Sequence, residues 1–87
     1  MTGMLASSKA GHDKNTVYVI IKEETEYVYL ADGRLKTLEK PKKKNKKHIQ
    51  IIKKYSSPEL SERIKAGKTD DVEIRKALET YRMSISK

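Results

Sequence analysis

Eight lysines stand within fifteen consecutive residues, positions 40–54, which contain no Asp or Glu. The residues before this lysine-rich segment carry a net charge of −1 and those after it +1, so the segment holds nearly all of the formal charge of +8. Ammonium groups at this density repel one another unless an anion neutralises them, and no acidic run elsewhere in the chain can do so. We therefore predict that the segment binds phosphate rather than serving as a flexible solubilising loop. Its cations are Lys40, Lys42, Lys43, Lys44, Lys46, Lys47, Lys53 and Lys54.

Catalytic and metal-binding chemistry has little to build on in this sequence. The chain has no Cys, and its two histidines, His12 and His48, lack the residue spacing of a zinc site or a catalytic triad. Gly67-Lys68-Thr69 resembles the end of a phosphate-binding loop, but Glu62 stands where that motif needs its first glycine. We predict a protein that is not an enzyme and that uses no metal, cofactor or small-molecule substrate.

The sequence carries no recognisable targeting signal. Residues 1–6 have neither a charged nor an apolar signal region, and the longest aliphatic or aromatic run, residues 17–21, is far too short to span a membrane. The absence of Cys fits a reducing compartment. We expect a cytoplasmic protein without membrane attachment.

Two alternating segments predict a β-hairpin in the first half of the chain. Residues 16–22 and 26–31 alternate β-branched, leucine and tyrosine side chains, and a short polar connection separates them. Asp32-Gly33 is typical of a tight turn, so we expect residues 34–38 to return as a third strand that ends before Pro41.

Two further strands are expected, one before and one after these three strands in the sequence. Residues 3–8 alternate weakly, and residues 48–54 alternate again after a lysine-rich loop. About five short strands in roughly fifty residues predict a mainly β fold and a small barrel. We expect this barrel to occupy residues 1–55 and a helical tail to occupy residues 56–87.

Capping signals predict two helices in the tail. Ser56-Ser57-Pro58-Glu59 begins the first, which should end near Gly67, and Thr69 with Asp70 should cap the second. The second helix presents one apolar stripe with helical spacing, which we expect to pack against the barrel rather than against a partner. The stripe consists of Ile74, Leu78, Tyr81 and Ile85.

Residues 8–15, followed by the strand at 17–21, resemble the KOW motif of ribosomal and transcription-factor proteins, with Gly11 in the turn of the motif. Several later dipeptides and tripeptides extend the resemblance, over residues 3–55, to large-subunit ribosomal proteins of the fourteen-e type and their small bacterial KOW relatives. These are Tyr27-Val28, Ala31-Asp32-Gly33, Lys40-Pro41-Lys42, Lys44-Asn45 and Lys47-His48. The resemblance implies an SH3-like barrel that binds ribosomal RNA, either within the ribosome or beside ribosomal proteins.

Carried over residue by residue, the resemblance implies RNA contacts in two places. The first is the loop containing Lys9, Gly11, His12, Asp13 and Lys14. The second is the run Lys42, Lys43, Lys44, Asn45, Lys46, Lys47 and His48. Asn15 stands where such proteins often have glycine, and asparagine tolerates the left-handed backbone that the turn needs.

Tyrosine supplies all the aromatic surface of this chain, which has no Phe or Trp, so we expect mainly structural roles for its tyrosines. We expect Tyr18, Tyr27 and Tyr29 to fill or cover the barrel, and His12 or Tyr55 to be available for stacking on RNA bases.

Three other functions remain open: a protein-interaction module that recruits a translation or transcription factor, DNA binding, and attachment to an anionic membrane, which is the weakest of the three. Replacing the five lysines at 42, 43, 44, 46 and 47 by Gln is expected to abolish RNA binding without changing thermal stability.

Overall fold

The computed structural model describes residues 1–53, 55 and 57–85, so the predicted site residue Lys54 and the predicted cap residue Ser56 lie outside the described residues. The fold is mainly β, as predicted, with one antiparallel sheet followed by two helices. The elements are β1 (Leu5–Ser8), β2 (Val17–Glu23), β3 (Tyr27–Ala31), β4 (Lys42–Asn45), a 3₁₀ turn (Lys46–His48), β5 (Ile49–Ile52), α1 (Pro58–Lys65) and α2 (Asp71–Ile85).

The five strands are ordered β4-β3-β2-β1-β5 in the sheet. The predicted β2–β3 hairpin is confirmed, with Val19 opposite Ala31 and a bulge between Ile20 and Lys22. The two edge strands, β4 and β5, are consecutive in the chain and are joined only by the three residues of the 3₁₀ turn. Among the described residues β4 and β5 do not pair with one another, so the sheet is open rather than a closed barrel.

Both faces of the sheet are buried, because alternate strand residues enter two different apolar clusters. One cluster joins Leu5, Val19 and Ala31 to Ile74 and Leu78 of α2. The other consists of residues in the strands, and partly buried neighbours pack against it. Its fully buried members are Ala6, Tyr18, Ile20, Val28, Leu30 and Ile49. The helices therefore cover one face, and residues of the strands form the buried cluster on the other.

The two predicted helices are confirmed, together with their local signals. Ser57 caps α1, followed by a proline in the first turn, and Gly67 adopts a positive φ of 71° just beyond its end. Asp70 rather than Thr69 caps α2, because the Asp70 carboxylate accepts a hydrogen bond from the Glu73 amide at 2.9 Å. Within the described part of the chain, neither helix is long and apolar enough to cross a bilayer.

The apolar stripe of α2 is buried only over part of its length. Ile74 and Leu78 are fully buried against the sheet, and Tyr81 is half-buried with its ring edge-on to Tyr55. Ile85, however, is 61% exposed. The expectation that the stripe packs against the strands is confirmed for the first part of the helix and is wrong for Ile85, which lies beyond the sheet-covered part.

Residues 34–38 do not form the predicted third strand. Three of their five backbone amides donate to side chains instead, since Asp32 accepts hydrogen bonds from Arg34 and Lys36, and Asp71 of α2 accepts one from Leu38 at 2.9 Å. Gly33 has a φ of 78° and its carbonyl accepts a hydrogen bond from Arg75 at 2.6 Å. This segment is a connection tied down by α2.

β3 pairs with β2 on one side and with β4 on the other, and β4 lies inside the segment that we predicted to be a loop. Tyr27 lies opposite Asn45, and Leu30 lies opposite Lys42. The predicted strand at residues 48–54 is shorter than expected, since the 3₁₀ turn extends to His48 and β5 covers Ile49–Ile52. Local periodicity did not reveal β4, because its side chains are all polar and its pairing is set by residues far away in sequence.

Candidate nucleic-acid interface

The loop between β1 and β2 is a tight, internally bonded turn. Gly11 and Asn15 have positive φ values of 87° and 72°, so the expectation that Asn15 tolerates the left-handed backbone is confirmed. The Lys14 amide donates to the Gly11 carbonyl at 3.2 Å, and the Thr16 amide donates to the Asp13 carbonyl at 2.9 Å. Lys9, Gly11, His12 and Lys14 are exposed, whereas Asp13 turns inward.

Asp13 is the acceptor at the centre of a polar network that joins three strands. Its carboxylate accepts hydrogen bonds from Lys42 at 2.7 Å, Lys44 at 2.9 Å, Ser8 at 2.9 Å and Tyr18 at 3.1 Å. The side chains of Asp13 and Lys44 are only 13% and 10% exposed. This network pairs two lysines of β4 with one carboxylate of the same chain, which offsets one of their two positive charges. The repulsion within the lysine-rich segment is therefore partly relieved by a single acid of this chain, although the chain has no acidic run.

The network shifts the ionisation of both acids that it contains. Partial burial opposes ionisation of Asp13, but the hydrogen bonds from Lys42, Lys44, Ser8 and Tyr18 outweigh it and hold the pKa of Asp13 well below its usual range. Burial and the hydrogen bond to Asp13 raise the pKa of Tyr18 to about 12. Tyr18 is fully buried, so the expectation that it fills the interior is confirmed. Asp13 remains a carboxylate and Tyr18 a neutral donor at neutral pH.

The β1–β2 loop also contacts the 3₁₀ turn, which brings together two stretches far apart in sequence. The Lys9 amide donates to the His48 carbonyl at 2.8 Å, and the Lys44 ammonium donates to the Ala10 carbonyl at 3.1 Å. Asn45 begins the turn by accepting a hydrogen bond from the Lys47 amide at 3.0 Å. We call the exposed residues gathered here the loop–turn surface. They are Lys9, Gly11, His12, Lys14, Lys47 and His48.

The remaining lysines of the segment are distributed over other parts of the molecule. Lys46 pairs with the exposed carboxylate of Glu23 at 2.6 Å. Lys53 follows Ile52, at the end of β5 opposite to His48. Lys40 is exposed before β4, and its amide donates to the Thr37 hydroxyl at 3.2 Å. The structure thus divides the lysine-rich segment instead of presenting it as one patch.

A second group of lysines lies on the face of the sheet against which the helices pack, in a part of that face that the helices leave uncovered. Tyr27 and Tyr29 of β3 point outward, and Tyr27 is 37% exposed, so neither ring fills the interior. The Lys43 ammonium lies 4.4 Å from the centre of the Tyr27 ring, and the Lys22 ammonium lies 5.5 Å from the centre of the Tyr29 ring. We call these four residues the lysine–tyrosine face. The alternation of the two tyrosines is visible in the sequence, but their pairing with Lys22 and Lys43 depends on strand register, which the sequence alone does not reveal.

The other predicted stacking residue is less accessible than expected. Tyr55 is half-buried, packs against the cluster under the helices, and lies with its ring 6.0 Å from that of Tyr81. His12 is exposed in the β1–β2 loop. Among residues 1–53, 55 and 57–85, no group of three His, Asp or Glu side chains is arranged to hold a metal ion.

Comparison with known proteins adds no family to these observations. A scan against protein-family models finds no match, and a search of the curated proteins finds no relative. The KOW resemblance stays a prediction that rests on the residues quoted for it.

Proposed function

We propose that this protein binds structured RNA, with ribosomal RNA as the expected target, and that the loop–turn surface is its primary contact. The observation that carries the proposal is the hydrogen bond from the Lys9 amide to the His48 carbonyl. It joins the loop that resembles a KOW motif to the 3₁₀ turn in the middle of the lysine-rich segment. A binding role also agrees with the positive charge of the chain, because phosphate contacts supply most of the affinity of basic proteins for nucleic acid.

Positioning of the loop–turn surface depends on the Asp13 network. Lys42 and Lys44 are engaged with Asp13, and Lys46 with Glu23, so we assign them a supporting role. The exposed lysines of the loop–turn surface are Lys9, Lys14 and Lys47, and Lys43 of β4 is the nearest exposed lysine in the sequence before the turn. If about four phosphates are neutralised, affinity should fall roughly 50- to 150-fold between about 50 and 200 mM salt. Gly11, with no side chain, lets the backbone approach the RNA closely.

We further propose that the bent sheet belongs to the SH3-like barrel class. Two observations support this: the two edge strands are joined by only three residues, and a fully buried apolar cluster lies on the face that the helices do not cover. Both are expected of a sheet rolled toward closure. With the KOW resemblance, this leads us to propose a cytoplasmic, ribosome-associated protein.

Matched triple variants test the proposed surface. Lys9→Gln, Lys14→Gln and Lys47→Gln together should abolish co-sedimentation with the large ribosomal subunit at low salt, because three phosphate contacts are lost. A control variant removes the same charge from the helical region through Lys65→Gln, Lys68→Gln and Lys76→Gln, all exposed in the structure. The control should still co-sediment. Equal loss in both variants would mean that only net charge matters, and retention in both would refute the proposal.

A second candidate function is recruitment of a protein partner through α2. Val72 and Ile85 are exposed apolar residues of this helix, at 44% and 61%. Capture of a translation or transcription factor that survives nuclease treatment, and is lost in Val72→Ser with Ile85→Ser, would favour this function. RNA-dependent capture would favour the first.

A further inference from the structure

We infer that the lysine–tyrosine face is a second nucleic-acid site, a platform on which unpaired RNA bases stack; this inference rests on the proposed RNA-binding function. The face is formed by adjacent strands of the sheet. Lys22 lies opposite Tyr29 on the neighbouring strand, and Tyr29 lies opposite Lys43, so the three form a row across β2, β3 and β4. Tyr27, two residues before Tyr29 on the same face, begins the next row opposite Asn45.

The chemistry of this face suits a single-stranded nucleic acid better than a protein surface left to solvent. An ammonium group lies over one face of each tyrosine ring, within cation–π range, so a base either stacks on the opposite face or displaces that lysine toward a phosphate. Aromatic rings on the surface of a sheet stack bases of single-stranded RNA, and neighbouring lysines neutralise the phosphates that accompany those bases. Tyr27 and Tyr29 are two positions apart along a strand, about 6.8 Å, which leaves space for one base on each ring.

The carboxylates beside the platform orient the bound strand. Glu24, Thr25 and Glu26, with Tyr27 and Lys43, line a recess of about 350 Å³. The Glu24 carboxylate raises the pKa of Tyr29, so that ring stays a neutral phenol at neutral pH. Carboxylates repel phosphate, whereas Lys43 attracts it. We therefore place the bases over the recess and the phosphates along β4.

The platform is continuous with the surface proposed above. Asn45 follows Lys43 on the same face of β4, accepts the hydrogen bond that begins the 3₁₀ turn, and leads to Lys47. Helices α1 and α2 pack on the same face of the sheet around Leu5, Val19 and Ala31, and the cluster that they form there does not include Tyr27 or Tyr29. A structured RNA held by the loop–turn surface can thus extend an unpaired loop or end across β4 onto the tyrosines.

Fluorescence anisotropy with two labelled probes tests the platform: an oligoadenylate of about ten nucleotides and an RNA duplex without unpaired bases. Tyr27→Ala should weaken oligoadenylate binding roughly 5- to 150-fold with an unchanged salt dependence, because a stacking contact and not a phosphate contact is lost. Tyr27→Phe, which keeps the ring, should bind as the wild type does. Duplex binding should be the same in all three proteins.

Charge variants at the platform should respond differently from the ring variants. Lys43→Gln should weaken oligoadenylate binding and reduce the slope of log affinity against log salt by about 0.7, the value for one phosphate contact to a single strand. Glu26→Gln should strengthen it, because a repulsive carboxylate is removed. Neither change should shift the thermal midpoint by more than a few degrees, since Glu26 and Lys43 are exposed.

The outcomes separate this inference from the proposed function. Unchanged oligoadenylate binding in Tyr27→Ala, or inorganic polyphosphate competing as well as oligoadenylate of equal charge, would overturn the platform while leaving the loop–turn surface untouched. If Tyr27→Ala instead abolished binding of polyglutamate and spared the oligonucleotide, the face would belong to an acidic protein partner and the inference would fall. Loss of duplex binding in the Lys9, Lys14 and Lys47 triple variant alone tests the proposed function.

Discussion

Replacing Asp13 by Asn should destabilise the fold far more than replacing an exposed carboxylate with the same number of ion pairs. Asp13 accepts hydrogen bonds from two ammonium groups and two hydroxyls at a side-chain exposure of 13%. Asn keeps the shape but not the charge, so Lys42 and Lys44 would lie close together without a counterion. Hydrogen bonds to charged groups contribute about 1.5 to 3 kcal/mol each, and breaking a buried ion pair costs about 3 to 5 kcal/mol.

Because Lys42 remains 31% exposed, we discount these values and expect a loss of about 2 to 4 kcal/mol in the free energy of unfolding near neutral pH. In a domain of this size, that loss lowers the thermal midpoint by roughly 10 to 25 °C. The matched control is Glu23→Gln. Glu23 also accepts from two cations, the chain amino terminus at 3.0 Å and Lys46 at 2.6 Å, but it is exposed. We expect a much smaller loss in the control.

The pH dependence gives the sharper test. The pKa of Asp13 is lowered in the folded protein, so its stabilisation is complete above the unfolded value near 3.9 and is lost as the pH falls toward the folded value. The difference in unfolding free energy between wild type and Asp13→Asn should therefore shrink by about 1.4 kcal/mol for each pH unit below about 3.9. Urea titrations followed by circular dichroism at several pH values measure it. Equal losses in Asp13→Asn and Glu23→Gln, or a difference independent of pH, would refute the reasoning.

Three further substitutions test the packing of the fold by urea denaturation. Leu78→Ala should cost about 3 kcal/mol because Leu78 is fully buried under the sheet, whereas Ile85→Ala on the same stripe should have almost no effect, and equal costs would contradict the partial burial of the stripe. Gly33→Ala should destabilise by more than about 1 kcal/mol, because an alanine there meets both a positive φ and the backbone of Asp71; a neutral result would mean that α2 is not held against this turn. Asn15→Ala should cost about 1 kcal/mol through its left-handed φ, and Asn15→Gly should be close to neutral; the reverse order would contradict the turn geometry.

Elements whose residues interact locally were predictable from the sequence. The β2–β3 hairpin follows from alternation around a short connection, and α1 and α2 follow from Ser57 and Asp70 with their neighbouring residues. Each signal lies within a few residues of the structure that it specifies. The starts of both helices and the approximate bounds of the hairpin could therefore be expected without any tertiary information.

Elements that depend on distant partners were not predictable in the same way. β4 consists of Lys42–Asn45 and has no apolar residue to mark one face. Lys42 and Lys44 can face inward only because Asp13, about thirty positions earlier, supplies the counterion. In the same way, residues 34–38 were expected to pair as a strand, but Asp71 of α2 takes up the Leu38 amide. A single sequence gives no signal for either contact.

Contacts between residues distant in sequence also affect which variants can test the candidate site. Sequence alone suggested that the lysines at 42, 43, 44, 46 and 47 could be replaced together without loss of stability. The structure shows that three of them are paired with Asp13 or Glu23. The combined variant would unfold the Asp13 network as well as remove phosphate contacts, so a loss of RNA binding would have two explanations. The variants at Lys9, Lys14 and Lys47 avoid this ambiguity.

The position of β4 at the end of the sheet also bears on the tendency of the protein to self-associate. An edge strand exposes backbone groups that can pair with another chain, and charged side chains on such a strand prevent this pairing by mutual repulsion. β4 is such an edge, and three of its four residues are lysines. In an antiparallel dimer formed through this edge, lysines of the two copies would lie opposite or beside one another. Neutralising β4, whether by mutation, by acetylation or by a polyanion in excess, would remove this protection and favour β-sheet aggregation.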